Sequence, residues 1–432
     1  MSNRFWHADA PRVLGGLISL SLLAGCASLD ESDGQLSGNR ALIRTFPTPE
    51  HHTGLRLVVK DNIDLKGQVT TAGSEYLAKN GKPARRDAAC LAIVRQRNVH
   101  IVGKANMSEF AISPSGINGF FGTPVSPFSG WRKVLPGGSS SGSAVAVARD
   151  LADVAFGTDT AGSIRVPAAF CGVVGLKTTH GLVPLDGVFP IEPDHLDTVG
   201  PIAKNIHYTV EGMDLLQEGF AARYQAATVA KPAGHMIRIG RLHIHGTDRR
   251  IDAAIDQALA KAGFQVMELD EPFHKKWDQA KADGNRVAEA GAWISDKDYR
   301  HKHEIHERTK IAILAGELSY LTHYKSALAR RDDWQRTLRS TFQKVDLIAL
   351  PTLKSLPLKM TPDLDTGLTE EIVLNDQNTV AVNYAGNPAL AIPIAVDGAH
   401  VPVTSLQLIG PNFSEAALLN AGRIVEASQR LQ

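Results

Sequence analysis

Apolar and polar positions switch between two periods along this chain, and the switching predicts strands alternating with helices. Leu55-Arg56-Leu57-Val58-Val59 is a β-rich run that leads to Lys60. Between residues 87 and 97 the apolar positions Cys90, Leu91 and Val94 fall at helical spacing. Residues 99–102 read as a short strand closed by Gly103, Ser141–Ala148 as a helix of very small residues, and 154–156 as a strand running into a Gly-rich turn. Residues 236–244 read as a strand. Ile251, Ile255, Leu259 and Ala262 then make one helix face, with Asp248 as N-cap and Gly263 as the stop. Phe264, Val266 and Leu269 restart a strand, residues 277–345 are mostly helical, and 346–350 and 389–394 are strands bordered by prolines. This alternation predicts one large α/β domain, with a central parallel or mixed sheet covered by helices on both faces.

The first 26 residues follow a different pattern. Arg4 and Arg12 precede an apolar run over residues 13–24, which is too short to span a bilayer as a helix but fits the apolar region of a secretory signal. The run ends in Leu23-Ala24-Gly25-Cys26, which resembles the bacterial lipobox. Residues 1–26 are therefore expected to be a lipoprotein signal, with Cys26 lipidated and holding the protein on a membrane. Residues 27–45 read as a polar tether, and 46–432 as the folded domain. Ala27 and Ser28 follow Cys26 with no Asp directly after it. By analogy with enterobacterial sorting, this points to a periplasm-facing lipoprotein of the outer membrane. The remaining cysteines, Cys90 and Cys171, read as small buried thiols.

Composition narrows the partners. The chain has 432 residues, with 46 Lys and Arg against 45 Asp and Glu, for a net charge of +1. No clustered basic face suggests nucleic acid. A small, roughly neutral substrate is the easier reading.

Chemistry concentrates in two Gly/Ser stretches, Gly137-Gly138-Ser139-Ser140-Ser141-Gly142-Ser143 and Gly157-Thr158-Asp159-Thr160-Ala161-Gly162-Ser163. No Lys sits where a phosphate-binding P-loop needs one. Two such loops, joined by a small-residue helix and a strand, place two hydroxyls at neighbouring loop ends. Their backbone N–H groups can point at one spot, as the oxyanion of an acyl transfer requires. A nucleophilic Ser needs a base, and no G-x-S-x-G elbow is present. Lys60, behind an apolar strand, is the best candidate, provided that burial lowers its pKa.

These pieces resemble the amidase signature family. The match covers about residues 54–201 and resumes over 346–432. It is carried by Val-Val-Lys-Asp-Asn-Ile-Asp at 58–64, Gly103-Lys104-Ala105-Asn106-Met107-Ser108-Glu109-Phe110, and the two Gly/Ser stretches continuing to Lys177. Asn387-Pro388-Ala389-Leu390 and Leu406-Gln407-Leu408-Ile409-Gly410 fit as well. The resemblance implies that family's fold and a Ser-Ser-Lys triad. In it Lys60 is the base, Ser139 the bridging serine on a cis peptide, and Ser163 the nucleophile, 24 residues beyond Ser139. The backbone of Thr160, Ala161, Gly162 and Ser163 would form the oxyanion hole. The implied activity is hydrolysis of a carboxamide C–N bond through an acyl-enzyme, with no metal or organic cofactor. Alternatives are a transamidation subunit that works with partner chains, or an inactive envelope binding protein on the same scaffold. Ala161 stands where the family commonly has Gly, Thr178-Thr179 replaces Pro-Thr, and the segment before Lys60 is short. The helical middle, about 205–345, matches poorly, and it is where the family shapes its substrate pocket.

Other side chains invite functional readings. His303 and His306 could share a helix face and bind a metal, but a solvated helix is the plainer reading. His243 and His245 read as surface or edge residues. Asp159 and Arg165 read as a structural ion pair, and Trp277, Trp293 and Trp334 as core packing.

Overall fold

The computed structural model describes residues 38–49, 52–130, 133–360 and 367–430. The signal segment and Cys26 lie outside the described residues. Among the described residues eleven strands join in one mixed sheet. In chain order they are β1 (Leu42–Thr45), β2 (Leu55–Lys60), β3 (Val99–Ala105), β4 (Val154–Asp159), β5 (Val174–Lys177), β6 (Thr198–Ala203), β7 (Arg238–Arg241), β8 (Gln265–Glu268), β9 (Leu347–Pro351), β10 (Ala389–Ala395) and β11 (Val403–Ile409). Across the sheet the order is β1-β3-β2-β4-β6-β5-β10-β11-β9-β7-β8. The predicted α/β architecture is therefore the observed one.

Alternation within each strand explains why both faces are covered. Leu57 and Val59 of β2 enter one core cluster with Val154 and Phe156 of β4, whereas Val58 enters a second cluster with Ala155. The second cluster also holds Ala144, Val145, Ala146 and Val147 of the Ser141–Ala148 helix. Side chains that small let the helix lie close to the sheet. At Gly142 a Cβ would come within 2.2 Å of the Ala41 carbonyl and 2.4 Å of the Asn106 carbonyl. A third cluster, around Trp277 and Trp334, packs the helices Glu271–Asp296 and Tyr324–Lys344 against Ile348 and Leu350 of β9.

β2 runs parallel to both β3 and β4. Lys60, Ala105 and Asp159 thus close neighbouring strands at the same end of the sheet. Ligands in open α/β sheets bind outside such carboxyl ends.

Several local expectations change. Residues 87–97 form two 3-10 turns, Ala89–Leu91 and Val94–Gln96, rather than one helix. The N–H groups of Leu91, Ala92, Gln96 and Arg97 reach back three residues, to the carbonyls of Ala88, Ala89, Ile93 and Val94, so the turns close in 3-10 geometry. Leu42–Thr45, assigned above to the tether, is an edge strand antiparallel to β3. β7 ends at Arg241, so His243 and His245 lie beyond it. His303 and His306 do not share a helix. The helix Glu307–Thr322 begins after His306, whose ring caps it by accepting from the Arg308 N–H. Asp248 caps the helix Arg249–Lys261 and Gly263 follows it with φ +70°, as predicted.

Trp277 is 1% exposed and meets Trp334 edge to face at 6.0 Å. Trp277→Ala should cost about 3–5 kcal/mol of stability, read as a lower midpoint of denaturant unfolding.

Candidate active site

Lys60 is fully buried at the end of β2. Its Nζ donates to Ser139 Oγ at 2.8 Å and to Thr158 Oγ1 at 2.8 Å. Asn62 Nδ2 also donates to Thr158 Oγ1, at 3.0 Å. Burial lowers the Lys60 pKa from 10.5 to about 7, although the Asp159 and Asp197 carboxylates work against it.

Two other lysines are buried among the described residues. Lys104 pairs with Asp61 at 2.7 Å. Lys177 is also lowered to about 7 by burial, but its Nζ donates to the carbonyls of Thr178 and Asn387 at 2.9 and 2.8 Å. A depressed pKa therefore does not single out Lys60. Its partners do: two hydroxyls, which can exchange a proton with the amine as the carbonyls around Lys177 cannot, and which carry no charge, unlike Asp61 beside Lys104.

Ser139 follows a cis peptide bond after Gly138. Its carbonyl accepts from the Ser108 N–H at 3.2 Å. The next residue ties the two Gly/Ser stretches together. The Ser140 N–H donates to the Ser163 carbonyl at 3.2 Å, and Ser140 Oγ donates to the Thr158 carbonyl at 3.3 Å. Lys60, Ser139 and the Ser163 loop thus meet at one place.

Ser163 sits in the turn between β4 and the helix Arg165–Cys171. A buried ion pair fixes that turn. Arg165 Nε and Nη2 donate to the two Asp159 oxygens at 3.0 and 2.9 Å, and both residues are 0% exposed. Asp159 also accepts from the Ile164 N–H at 3.1 Å. Burial alone would raise the Asp159 carboxyl, but Arg165 overrides it and holds it at about 2. Arg165 Nη1 donates onward to the Thr379 carbonyl at 3.0 Å and to Gln407 Oε1 at 2.7 Å.

Gly162 has φ +138°, and a Cβ there would meet Thr379 Oγ1 at 2.3 Å, so only glycine fits. Thr379 Oγ1 itself donates to the Ala161 carbonyl. Ala161 is not among the described non-glycine residues with positive φ, so its methyl adds no left-handed strain. Among the described residues the N–H groups of Ala161, Gly162 and Ser163 find no acceptor in the chain. Thr160 Oγ1 donates to Asp197 at 2.6 Å, and burial raises Asp197 to about 6.

A cavity of about 10 Å³ lies against Asn62, Thr158, Thr160, Phe189, Ile191 and Asp197. A wider cleft of about 450 Å³, lined by His180, Leu185, Asp186 and Asp197 among others, adjoins it through shared walls. Thr158, Asn62, Asp197 and Thr379 join the site without having been expected there. The first two lie inside quoted motifs. Asp197 and Thr379 are remote in sequence and carry no local signal. Cys90 and Cys171 are free and buried; burial pushes Cys90 up to about 12 and raises Cys171 as well.

An amine buried against hydroxyls, beside a turn with unpaired N–H groups, is suited to acyl transfer. The chain belongs to the amidase family, which it matches over residues 47–419. It is 33% identical to the A-type subunit of glutamyl-tRNA(Gln) amidotransferase from Halobacterium salinarum, over 86% of this chain and 95% of that protein. It is 33% identical to 2-amino-5-chloromuconic acid deaminase of Comamonas testosteroni, over 87% of this chain and 81% of that protein. The solved structure of the corresponding amidotransferase subunit from Thermotoga maritima superposes with a TM-score of 0.73 at 25% identity, covering 90% of this chain and 87% of that one. The protein is thus an amidase-family enzyme that works on C–N bonds.

Asp159→Asn leaves Arg165 buried without its counter-charge. The expected loss is about 3–5 kcal/mol, measured by chemical denaturation.

Proposed function

We propose that the chain cleaves a carboxamide C–N bond through an acyl-enzyme on Ser163, with Lys60 and Ser139 as its proton relay. The observation that carries this reading is the buried Lys60 Nζ, 2.8 Å from Ser139 Oγ. Neutral Lys60 takes the Ser139 proton as Ser139 takes that of Ser163. Ser163 Oγ attacks the carbonyl carbon, and the N–H groups of the Thr160-Ala161-Gly162-Ser163 turn hold the oxyanion. Each such donor is worth about 3–4 kcal/mol in the transition state. The relay returns the proton to the departing nitrogen, and water or another nucleophile then takes the acyl group.

The fate of the released nitrogen separates two readings. The similarity to the amidotransferase subunits supports transamidation with partner chains more directly than it supports a free-standing amidase. The N-terminal segment bears on the same choice. A lipid on Cys26 would hold the chain at the cell envelope, whereas work on aminoacyl-tRNA needs it in the cytoplasm. Fractionation of the full-length protein, with mass spectrometry of its N-terminus, distinguishes the two. A lipid-modified Cys26 in the membrane fraction supports the envelope amidase. An unmodified N-terminus in the cytosol supports transamidation.

Two measurements test the chemistry. Ser163→Ala should lower amide turnover by about 10⁴-fold or more, and the intact mass of the wild type should show an acyl adduct that the variant lacks. Lys60 acts as base only when neutral, so kcat/KM should rise with pH through about 7. A profile flat from pH 5 to 9 rules Lys60 out as the base.

A further inference from the structure

A surface helix normally turns its apolar stripe inward and its polar residues outward. The helix Glu307–Thr322 breaks that rule. Its inner side, with Thr309, Ile313, Gly316 and Ser319, is buried. At Gly316 a Cβ would come within 2.2 Å of the Glu289 carbonyl, so this side lies hard against the helix Glu271–Asp296 and the helix is not free to turn. Its outer side carries Ile311, Leu314, Leu318 and Leu321, which are 66, 50, 64 and 72% exposed. Spaced three, four and three residues apart, they form one continuous stripe. The next helix, Tyr324–Lys344, keeps the rule and shows the ion pair Asp333–Arg336 to solvent. Single exposed apolar side chains are ordinary, but a contiguous patch marks a surface that meets something else.

The route of the chain indicates what it meets. The first described residues are pinned to the loop around Gly122. The Val125 N–H donates to the Asn39 carbonyl at 2.9 Å, and Asn106 Nδ2 donates to the carbonyls of Arg40 and Gly122 at 3.0 and 2.8 Å. That loop presents Phe120, which is 45% exposed, and a Cβ on its Gly119 would lie 3.0 Å from the ring of His306, the cap of the helix. The chain therefore leaves the domain toward Cys26 beside the start of the apolar stripe. Twelve residues separate Cys26 from Gly38, a reach of at most about 40 Å. A lipid on Cys26 would bring this side of the domain to the bilayer. The local charge suits anionic headgroups, since residues 300–325 hold five Lys and Arg against three Asp and Glu. A second copy fits less well, because an antiparallel pairing of the stripe sets Glu317 against Glu317 of the other copy. Among the described residues no helix is long and apolar enough to cross a membrane, so the contact is interfacial.

We propose that the helix Glu307–Thr322 lies in the headgroup layer of an anionic bilayer, with Ile311, Leu314, Leu318 and Leu321 against the acyl chains. The proposal rests on the envelope placement proposed above. It gives a lipid on Cys26 a second point of contact, which fixes the side of the domain that faces the membrane.

The test uses the full chain in vesicles of phosphatidylethanolamine and phosphatidylglycerol. Cys90 and Cys171 are buried, so a fluorophore can be attached through Leu318→Cys or, as a control on the neighbouring helix, Arg336→Cys. Peptide mass verifies the labelled position and also reads the state of Cys26; if Cys26 carries no lipid, Cys26→Ser keeps the label on one residue. Doxyl-labelled lipid in the bilayer should quench the label at 318 but not the one at 336, and iodide in the water should quench only the one at 336. Leu314→Glu with Leu321→Glu, both outward, should abolish lipid quenching at 318 and leave the unfolding midpoint in place. A label at 318 open to iodide overturns the proposal. So does one shielded from both quenchers, which would mean that protein covers the stripe. A lipidated Cys26 without lipid quenching at 318 sinks the helix contact and leaves the anchor standing. Lipid quenching at 318 with an unmodified Cys26 supports the helix contact and sinks the anchor.

Discussion

A lysine amine held wholly out of water is the constraint on which the rest of this site depends. Lowering its pKa from 10.5 to about 7 makes the charged form about 5 kcal/mol less favourable than in water. The structure limits the shift without abolishing it. Ser139 and Thr158 give the amine hydrogen-bond partners that carry no charge. Asp159 and Asp197 contribute a negative field but are already spoken for, by Arg165 and by Thr160. A carboxylate free to pair with Lys60 would favour its charged form and oppose the shift. The position of Lys60 is fixed because β2 is bonded on both sides, to β3 and to β4.

The same economy of partners shapes the turn before Ser163. Arg165 and Asp159 neutralise one another, and Thr379, Asn383 and Gln407 supply further hydrogen bonds to the pair. With its side chains occupied in this way, the turn leaves the N–H groups of Ala161, Gly162 and Ser163 unpaired. Unpaired donors at fixed positions are what an oxyanion needs, and they are costly to hold in any other setting.

Much of this is legible in the sequence, and the reasons are physical. Apolar runs identify β2, β4, β9 and β10, because a strand buried on both faces must be apolar over its whole length. Lys60, Ser139 and Ser163 are singled out by the motifs that resemble the amidase signature family, and not by residue type or spacing alone. What stays hidden depends on contacts across the chain. The apolar positions at 90, 91 and 94 match a helix, yet the backbone there closes three residues back instead of four. The histidines at 303 and 306 fit one helical run by spacing, but His306 serves as a cap. Thr379 and Asp197 act on the turn from remote positions, and no local pattern marks them. The methyl at 161, a departure from the family's common glycine, is harmless because the left-handed demand falls one residue later, on Gly162.

The bonds that complete the Ser163 turn span 214 residues to Thr379 and 242 to Gln407. Contacts so distant along a chain form late in folding, since loop closure must precede them. As the polypeptide is synthesised, residues 60, 139 and 163 of the proposed relay are all made long before the elements that set their geometry. On the proposed chemistry, the nascent chain carries Ser163 in a disarmed state until the last fifth of the sequence has arrived.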